Sequence, residues 1–358
     1  MEFTKLYKTR ILAKENLYKS VISINENIEE EEKSKDKDYL TFGVKNTSDI
    51  PLTIVRKIKD NPKYLFTTVD KMSHLGRSID TDLHNPLTYR LMTGSSSGTC
   101  INILKGINDF GIGTDGGGSV LAPALSTNLY SFIGAGMKLV TEKESLSTDS
   151  ISFNGSMGII SKDFKTLKTV TEDILNEKII YDDKIIRVLI PKTNNLILPD
   201  NIDMRYELNK IISKFKEKTI KFIEYNFDNI YSREVGISEI KNIFNKDIAD
   251  VILTLEGPID IYGYDETIQR SFKGSTEIEL TSKGGKALVK AANMCKCTGI
   301  TIPSEKLASG YVILGKEGIE GFNKTFKVAE EIEKHIEKNE IFQRYFIERK
   351  KFVNPLIY

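Results

Sequence analysis

Tryptophan is missing from the sequence altogether, so 17 Phe and 15 Tyr supply its whole aromatic content. Histidine occurs only at His74, His84 and His335, and cysteine only at Cys100, Cys295 and Cys297. An odd cysteine count, with two of the three flanking a single residue, does not make a disulfide framework and points to a reducing, cytoplasmic compartment. Cys295-Lys296-Cys297 resembles half a metal site, but no histidine lies near it, so no metal is expected. No run approaches the ~18 apolar residues of a membrane span. Met1-Glu2-Phe3-Thr4-Lys5 lacks the apolar segment of a secretory signal. Charge of one sign is missing too: 51 Lys+Arg against 50 Asp+Glu leaves +1. No bulk field therefore favours nucleic acid or an anionic membrane. What remains is a chain of 358 residues, 40% hydrophobic, with enough apolar content for a full core in one large domain or two ordinary ones.

Glycine and serine are where the sequence concentrates. Thr93 to Gly136 holds two clusters, Gly94-Ser95-Ser96-Ser97-Gly98 and Gly113-Thr114-Asp115-Gly116-Gly117-Gly118-Ser119, with an apolar run between them. Three glycines before a serine strip the bend of Cβ atoms. Its backbone is then free to take φ > 0 and turn several N–H groups to one point. That suits an oxyanion hole, with the serine as the attacking group. A linker does not fit, because Val120 to Leu125 is apolar. A Walker loop does not fit, because Gly-Lys-Ser/Thr is absent. Gly-x-Ser-x-Gly is absent around Ser119 as well.

The remaining chain reads as alternating elements. Residues 5–32 have a helical pattern, with Leu17, Val21, Ile24 and Ile28 on one face, and Glu29 to Asp38 forms a solvated charged end. Tyr39 to Lys45 reads as a short strand, Pro51 to Asp60 as a loop and short helix, and Tyr64 to Val69 as another strand. Thr99 to Phe110 has helical spacing (Ile101, Leu104, Ile107), which puts the first cluster at a helix N-terminus and Cys100 inside the helix. Ser152 to Leu175 reads as a turn and then a helix (Leu167, Val170, Ile174). Ile185 to Ile190 and Ala249 to Thr254 read as buried strands, with amphipathic helix and short apolar runs between them. Ala287 to Ile302 reads as a helix ending at Gly299 followed by a strand. A late strand, Gly310 to Gly315, precedes a closing helix, Phe322 to Ile336. Alone, Lys45 is an ordinary lysine. His84 lacks an acid at an obvious spacing and reads as structural.

The paired clusters resemble the signature of the amidase-signature serine hydrolases. Those enzymes carry Gly-Gly-Ser-Ser-Gly-Gly, an apolar helix, then Gly-Thr-Asp-x-Gly-Gly-Ser. Residues 93–98 match the first block at four positions and residues 113–119 match the second in full. Phe42-Gly43-Val44-Lys45-Asn46 resembles the strand that carries the family's lysine, with Asn46 in place of Asp. The resemblance spans about residues 15–338 and is specific at these three blocks. It implies an α/β class chain: one α/β/α domain over residues 1–358, with a central twisted mixed sheet flanked by helices, compact beside typical members. It implies an amidase that hydrolyses a C–N amide bond without a cofactor. Ser119 would be the nucleophile, Ser95 (on a cis peptide in relatives) the relay and Lys45 the base. Gly116, Gly117 and Gly118, with Ser119, would form the oxyanion hole, and Thr93 and Gly94 would be substrate contacts. Asp115 would pin the loop. The expected partner is a small-molecule amide, with no nucleic acid and no membrane; a homodimer is possible. A glutamine amidotransferase A-type subunit, or a diverged binding homologue, are the alternatives. Leu121 stands where relatives usually have an arginine that braces the loop, so support for the bend must come from elsewhere. The interval from Lys45 to Ser95 is short for the family.

Overall fold

Short β-branched and aromatic runs, separated by amphipathic stretches, build one large mixed sheet in the computed structural model. It describes residues 4–147, 150–264, 274–276, 281 and 283–348. Met1, Glu2 and Phe3, on which part of the signal-segment reading rests, lie outside the described residues. In chain order the first elements are α1 (Lys5–Glu15), β1 (Val21–Ile24), α2 (Ile28–Glu32), β2 (Leu40–Lys45), α3 (Leu52–Asp60) and β3 (Tyr64–Asp70). Then come β4 (Ile79–His84), β5 (Leu91–Thr93), α4 (Ser97–Leu104), β6 (Phe110–Asp115), α5 (Leu121–Ser126), β7 (Tyr130–Ile133), β8 (Val140–Leu146) and β9 (Ser152–Ser161). The chain continues through α6 (Phe164–Leu175), β10 (Ile186–Pro191), α7 (Met204–Ile212), β11 (Ile220–Tyr225), α8 (Arg233–Asn245) and β12 (Val251–Glu256). After these come β13 (Thr298–Pro303), β14 (Gly310–Gly315) and α9 (Ile319–His335), followed by a short helical turn at Glu340–Phe342 and a π-helical turn at Gln343–Ile347.

Among the described residues the main sheet has 12 strands, in the order β1-β3-β2-β6-β9-β7-β13-β14-β12-β10-β11, with β8 also paired to β9. β2 runs parallel to both β3 and β6, and β10 runs parallel to β11 and β12. The strands at its centre, β6, β7, β13 and β14, are buried along their whole length, which is why their sequences carry no polar alternation. Helices flank this sheet, the α/β arrangement expected from the sequence. α9 shows how one is held: Phe322, Thr325, Phe326, Ala329 and Ile332 repeat at helical spacing and are buried. Phe132 of β7 meets Phe326 at 5.9 Å between ring centroids. On the other half of the sheet, Phe42 stacks on Phe110 at 5.3 Å, and Tyr64 meets Phe110 edge-on at 5.3 Å.

Four readings of local structure are corrected. Residues 5–32 are not one helical segment: the helix stops at Glu15, and Val21-Ile22-Ser23-Ile24 forms a strand on β3. The apolar spacing fits both forms; β-branched residues and a free edge on β3 decide for the strand. The helix that follows the first cluster ends at Leu104 instead of reaching Phe110. Gly106 (φ +77°) turns the chain there and Phe110 opens β6. Residues 152–161 form a ten-residue strand, not a turn, and it pairs with β6, β7 and β8. Residues 287–297 do not form the helix read from the sequence but two short 3-10 turns, at Leu288–Lys290 and Asn293–Cys295, and Gly299 lies inside β13. Here the buried carboxylate of Glu256 accepts the N–H groups of Ala287 (2.6 Å), Leu288 (2.8 Å) and Val289 (3.3 Å), which fixes the turn in place of a longer helix.

Candidate active site

β2 and β6 lie side by side and parallel, with Val44 opposite Ile112. Their C-terminal ends therefore reach the same edge of the sheet. Lys45 closes β2, and Thr114 and Asp115 close β6, just before the glycine bend. The first cluster comes to the same place from β5, passing into the N-terminus of α4 with Ser96 at the cap position. Ser96 N–H donates to the carbonyl of Ser119 at 3.1 Å, which ties the two clusters together.

The side chain of Lys45 is buried, with the residue 2% exposed. Its Nζ lies 2.7 Å from Ser95 Oγ, 3.0 Å from Thr114 Oγ1 and 3.1 Å from the Thr114 carbonyl. Burial is the main influence on this amine. It lowers the pKa from 10.5 to about 8, against the opposing pull of the Asp115 and Asp49 charges. The Gly94–Ser95 peptide is cis. Ser119 is half-buried and lines, with Lys45, Gly94, Ser95 and Gly116 to Gly118, a cleft of about 650 Å³. The hydroxyls of Ser95 and Ser119 are not hydrogen-bonded to each other among the described residues. Such contacts commonly tighten only when substrate is bound.

Asp115 organises the bend. One carboxylate oxygen accepts the N–H of Gly118 at 2.8 Å, and the other accepts those of Val120 (2.6 Å) and Leu121 (3.2 Å). Burial pushes its pKa up, while these three donors pull it down. Gly118 sits at φ +98°, with the Val289 carbonyl 3.1 Å from where a Cβ would stand. Its committed N–H corrects one expectation: Gly118 serves the scaffold of the bend, which leaves Gly116, Gly117 and Ser119 as candidate oxyanion donors. A second correction concerns Thr93, read as a substrate contact. Thr93 is buried, and its hydroxyl donates to Asp260 at 2.6 Å. Asp260 is in turn paired with Lys286 at 3.0 Å. Gly94 does line the cleft, and its own N–H is held by the Ser78 carbonyl at 2.7 Å. Ser97 donates to Asp80 at 2.5 Å. His84 is exposed at the end of β4, outside the cleft.

The support that Leu121 cannot give comes from residues that sequence reasoning passed over. The side chain of Leu121 is fully buried near Gly299. Asn293 Nδ2 donates to the Gly116 carbonyl (3.2 Å) and to the Asn154 carbonyl (3.0 Å). Val289 backs Gly118, and the guanidinium of Arg233 stands beside Gly117. The segment that runs from Lys286 to Asn293 thus braces the bend from the far side of the sequence. Only the short apolar and Asn-containing string hints at this, and its composition favours a helix instead. The three free cysteines do not enter the site: Cys100 and Cys297 are buried, and burial raises the Cys100 thiol to about 12.

No protein-family model matches the chain, and no curated protein matches it in sequence. Solved structures do. Allophanate hydrolase from Kluyveromyces lactis superposes with a TM-score of 0.61 at 12% identity, over 92% of this chain and 70% of that one. The A-type subunit of glutamyl-tRNA(Gln) amidotransferase from Thermotoga maritima gives 0.61 at 16% identity, over 94% and 96%. The fold is that of the amidase-signature enzymes. In the urea amidolyase of K. lactis the same fold (TM-score 0.61, 13% identity) covers 92% of this chain but 26% of that longer one. At these identities the likeness establishes architecture, and the chemistry rests on the residues just described. No helix among the described residues is long and apolar enough to cross a membrane.

Proposed function

We propose that the protein is an amidase that hydrolyses a C–N amide bond through a Ser119 acyl-enzyme. The observation that carries this reading is the buried Lys45 amine at 2.7 Å from Ser95 Oγ. A lysine held away from water and beside a hydroxyl has its neutral form within reach near neutral pH. With a pKa of about 8, roughly a tenth of it is neutral at pH 7. The neutral amine accepts the Ser95 proton as Ser95 takes the proton of Ser119. Ser119 Oγ then attacks the amide carbon, and negative charge grows on the carbonyl oxygen. The N–H groups of Gly116, Gly117 and Ser119 are the donors proposed to receive it, each worth ~10²–10³ in rate by comparison with other oxyanion holes. The proton returns through Ser95 to the leaving nitrogen. Water, deprotonated along the same path, then releases the acid. No step calls for a cofactor. The amide is a small molecule by the size of the cleft, and the free cysteines favour a cytoplasmic setting. The whole chain from 1 to 358 would act as one domain, alone or as a homodimer.

A serine-directed fluorophosphonate tests this. It should label Ser119 in the wild type and fail to label the Ser119→Ala variant. The Lys45→Met variant should label far more slowly. A folded protein that no such probe labels, or a Lys45→Met variant with full amidase activity, would count against the proposal.

A further inference from the structure

Four basic residues line the cleft, Lys45, Arg77, Arg233 and Lys286, against two acidic ones, Asp49 and Asp115. Several of these charges are already spoken for. Asp115 spends both oxygens on the N–H groups of the bend. Lys286 is paired with Asp260. Lys45 works as a neutral amine in the proposed reaction. The most telling of the others is Arg233, the first residue of α8. It is 7% exposed, yet it faces the cleft, with Nη2 3.5 Å and Cζ 3.7 Å from the Cβ position of residue 117. A guanidinium therefore stands against the bend that would hold the reacting carbonyl. It is also not unpartnered; five N–H donors allow it to keep a structural partner and still fork onto a ligand.

The geometry points to a substrate that carries a free carboxylate: a small amide whose anionic group is held by Arg233 while its carbonyl lies at Ser119. This rests on the hydrolase reading above. A planar guanidinium meets a carboxylate through two parallel hydrogen bonds, and a neutral amide of the same length offers it nothing comparable. Arg77 lines the same cleft and adds to its positive charge.

Succinamate and butyramide have matched chain lengths and differ in the carboxylate. The wild type should prefer succinamate in kcat/KM by on the order of tenfold or more, the worth of one charge-assisted contact. In Arg233→Gln the ratio should fall to near one, and Arg233→Lys should keep an intermediate ratio. A wild-type ratio of one or below, or the same ratio in Arg233→Gln, overturns the inference and assigns Arg233 to bracing Gly117. If neither amide is turned over, thermal melts of Ser119→Ala decide. Succinamate should raise its Tm where butyramide does not, and the rise should vanish in Ser119→Ala/Arg233→Gln; no rise overturns the inference. Fluorophosphonate labelling separates the two failures. Normal labelling of Ser119 without a carboxylate preference sinks this inference alone, whereas absent labelling sinks the hydrolase reading.

Discussion

The ring of Phe153 fills the space in which a side chain on residue 116 would lie: a Cβ there would stand 2.6 Å from the ring Cζ. The bend and β9 are therefore fitted to each other through a missing side chain. Gly116→Ala should displace the bend and slow fluorophosphonate labelling by on the order of 10², the loss expected when an oxyanion donor is misplaced. Gly116→Ala/Phe153→Ala should recover part of that loss, since the overlap is then relieved. Labelling rates for the four proteins of this cycle measure the coupling, and strictly additive effects would show that the ring does not constrain the bend.

Lys45 ties stability, and activity in the proposed reaction, to pH in a defined window. Its pKa is about 8 in the folded protein against 10.5 ordinarily. The unfolded chain therefore holds this proton more tightly, and the contribution of Lys45 to stability rises as pH climbs from 8 to 10.5, by up to about 3 kcal/mol. Denaturant melts of wild type and Lys45→Met across that range should diverge in favour of the wild type. The labelling rate of the wild type should rise with pH over the same group, with its midpoint near 8. A stability difference that stays flat from pH 8 to 10.5 would mean the amine is not buried as described.

Asp115 accepts three N–H groups with two oxygens. Asparagine offers a single acceptor oxygen and turns an NH2 toward donors. Asp115→Asn should cost about 1–3 kcal/mol for each N–H left without a partner, and should slow labelling even at temperatures where the variant is fully folded. Equilibrium unfolding together with labelling kinetics distinguishes this from a purely electrostatic role, under which Asp115→Asn would leave stability intact.

Thr93 gives the sharpest test of the corrected site. Its hydroxyl is spent on Asp260, so Thr93→Val should lower stability by about 1.5–3 kcal/mol, the worth of a hydrogen bond to a charged group. KM for any accepted amide should stay unchanged. A raised KM in a variant of normal stability would return Thr93 to the substrate.

How far the sequence discloses this arrangement depends on where the deciding interactions lie. The strand that ends at Lys45 is legible because a short apolar run with a lysine at its end needs no distant partner to be recognised. The two Gly/Ser blocks are legible because their backbone demands are local, and the fold sets both beside Lys45. β9 is not legible. Asn154-Gly155-Ser156 is written in turn residues, and only pairing with β6 and β8 makes it a strand. The segment from Ala287 to Cys297 has helical composition, but Glu256, about 30 residues earlier in the chain, captures its N–H groups. Val21 to Ile24 fits a helical face equally well until the edge of β3 is offered to it. Arg233 gives no signal at all, because nothing in a polar helix start marks a side chain that turns inward.

The brace that runs from Lys286 to Asn293 has a consequence for how the protein comes to be made. The proposed base arrives with β2 and the proposed nucleophile before the middle of the chain, but the residues that back Gly116 and Gly118 are translated far later. A nascent chain on the ribosome can hold all three groups of the proposed reaction and still lack the wall behind them, so the proposed hydrolysis would switch on late in synthesis.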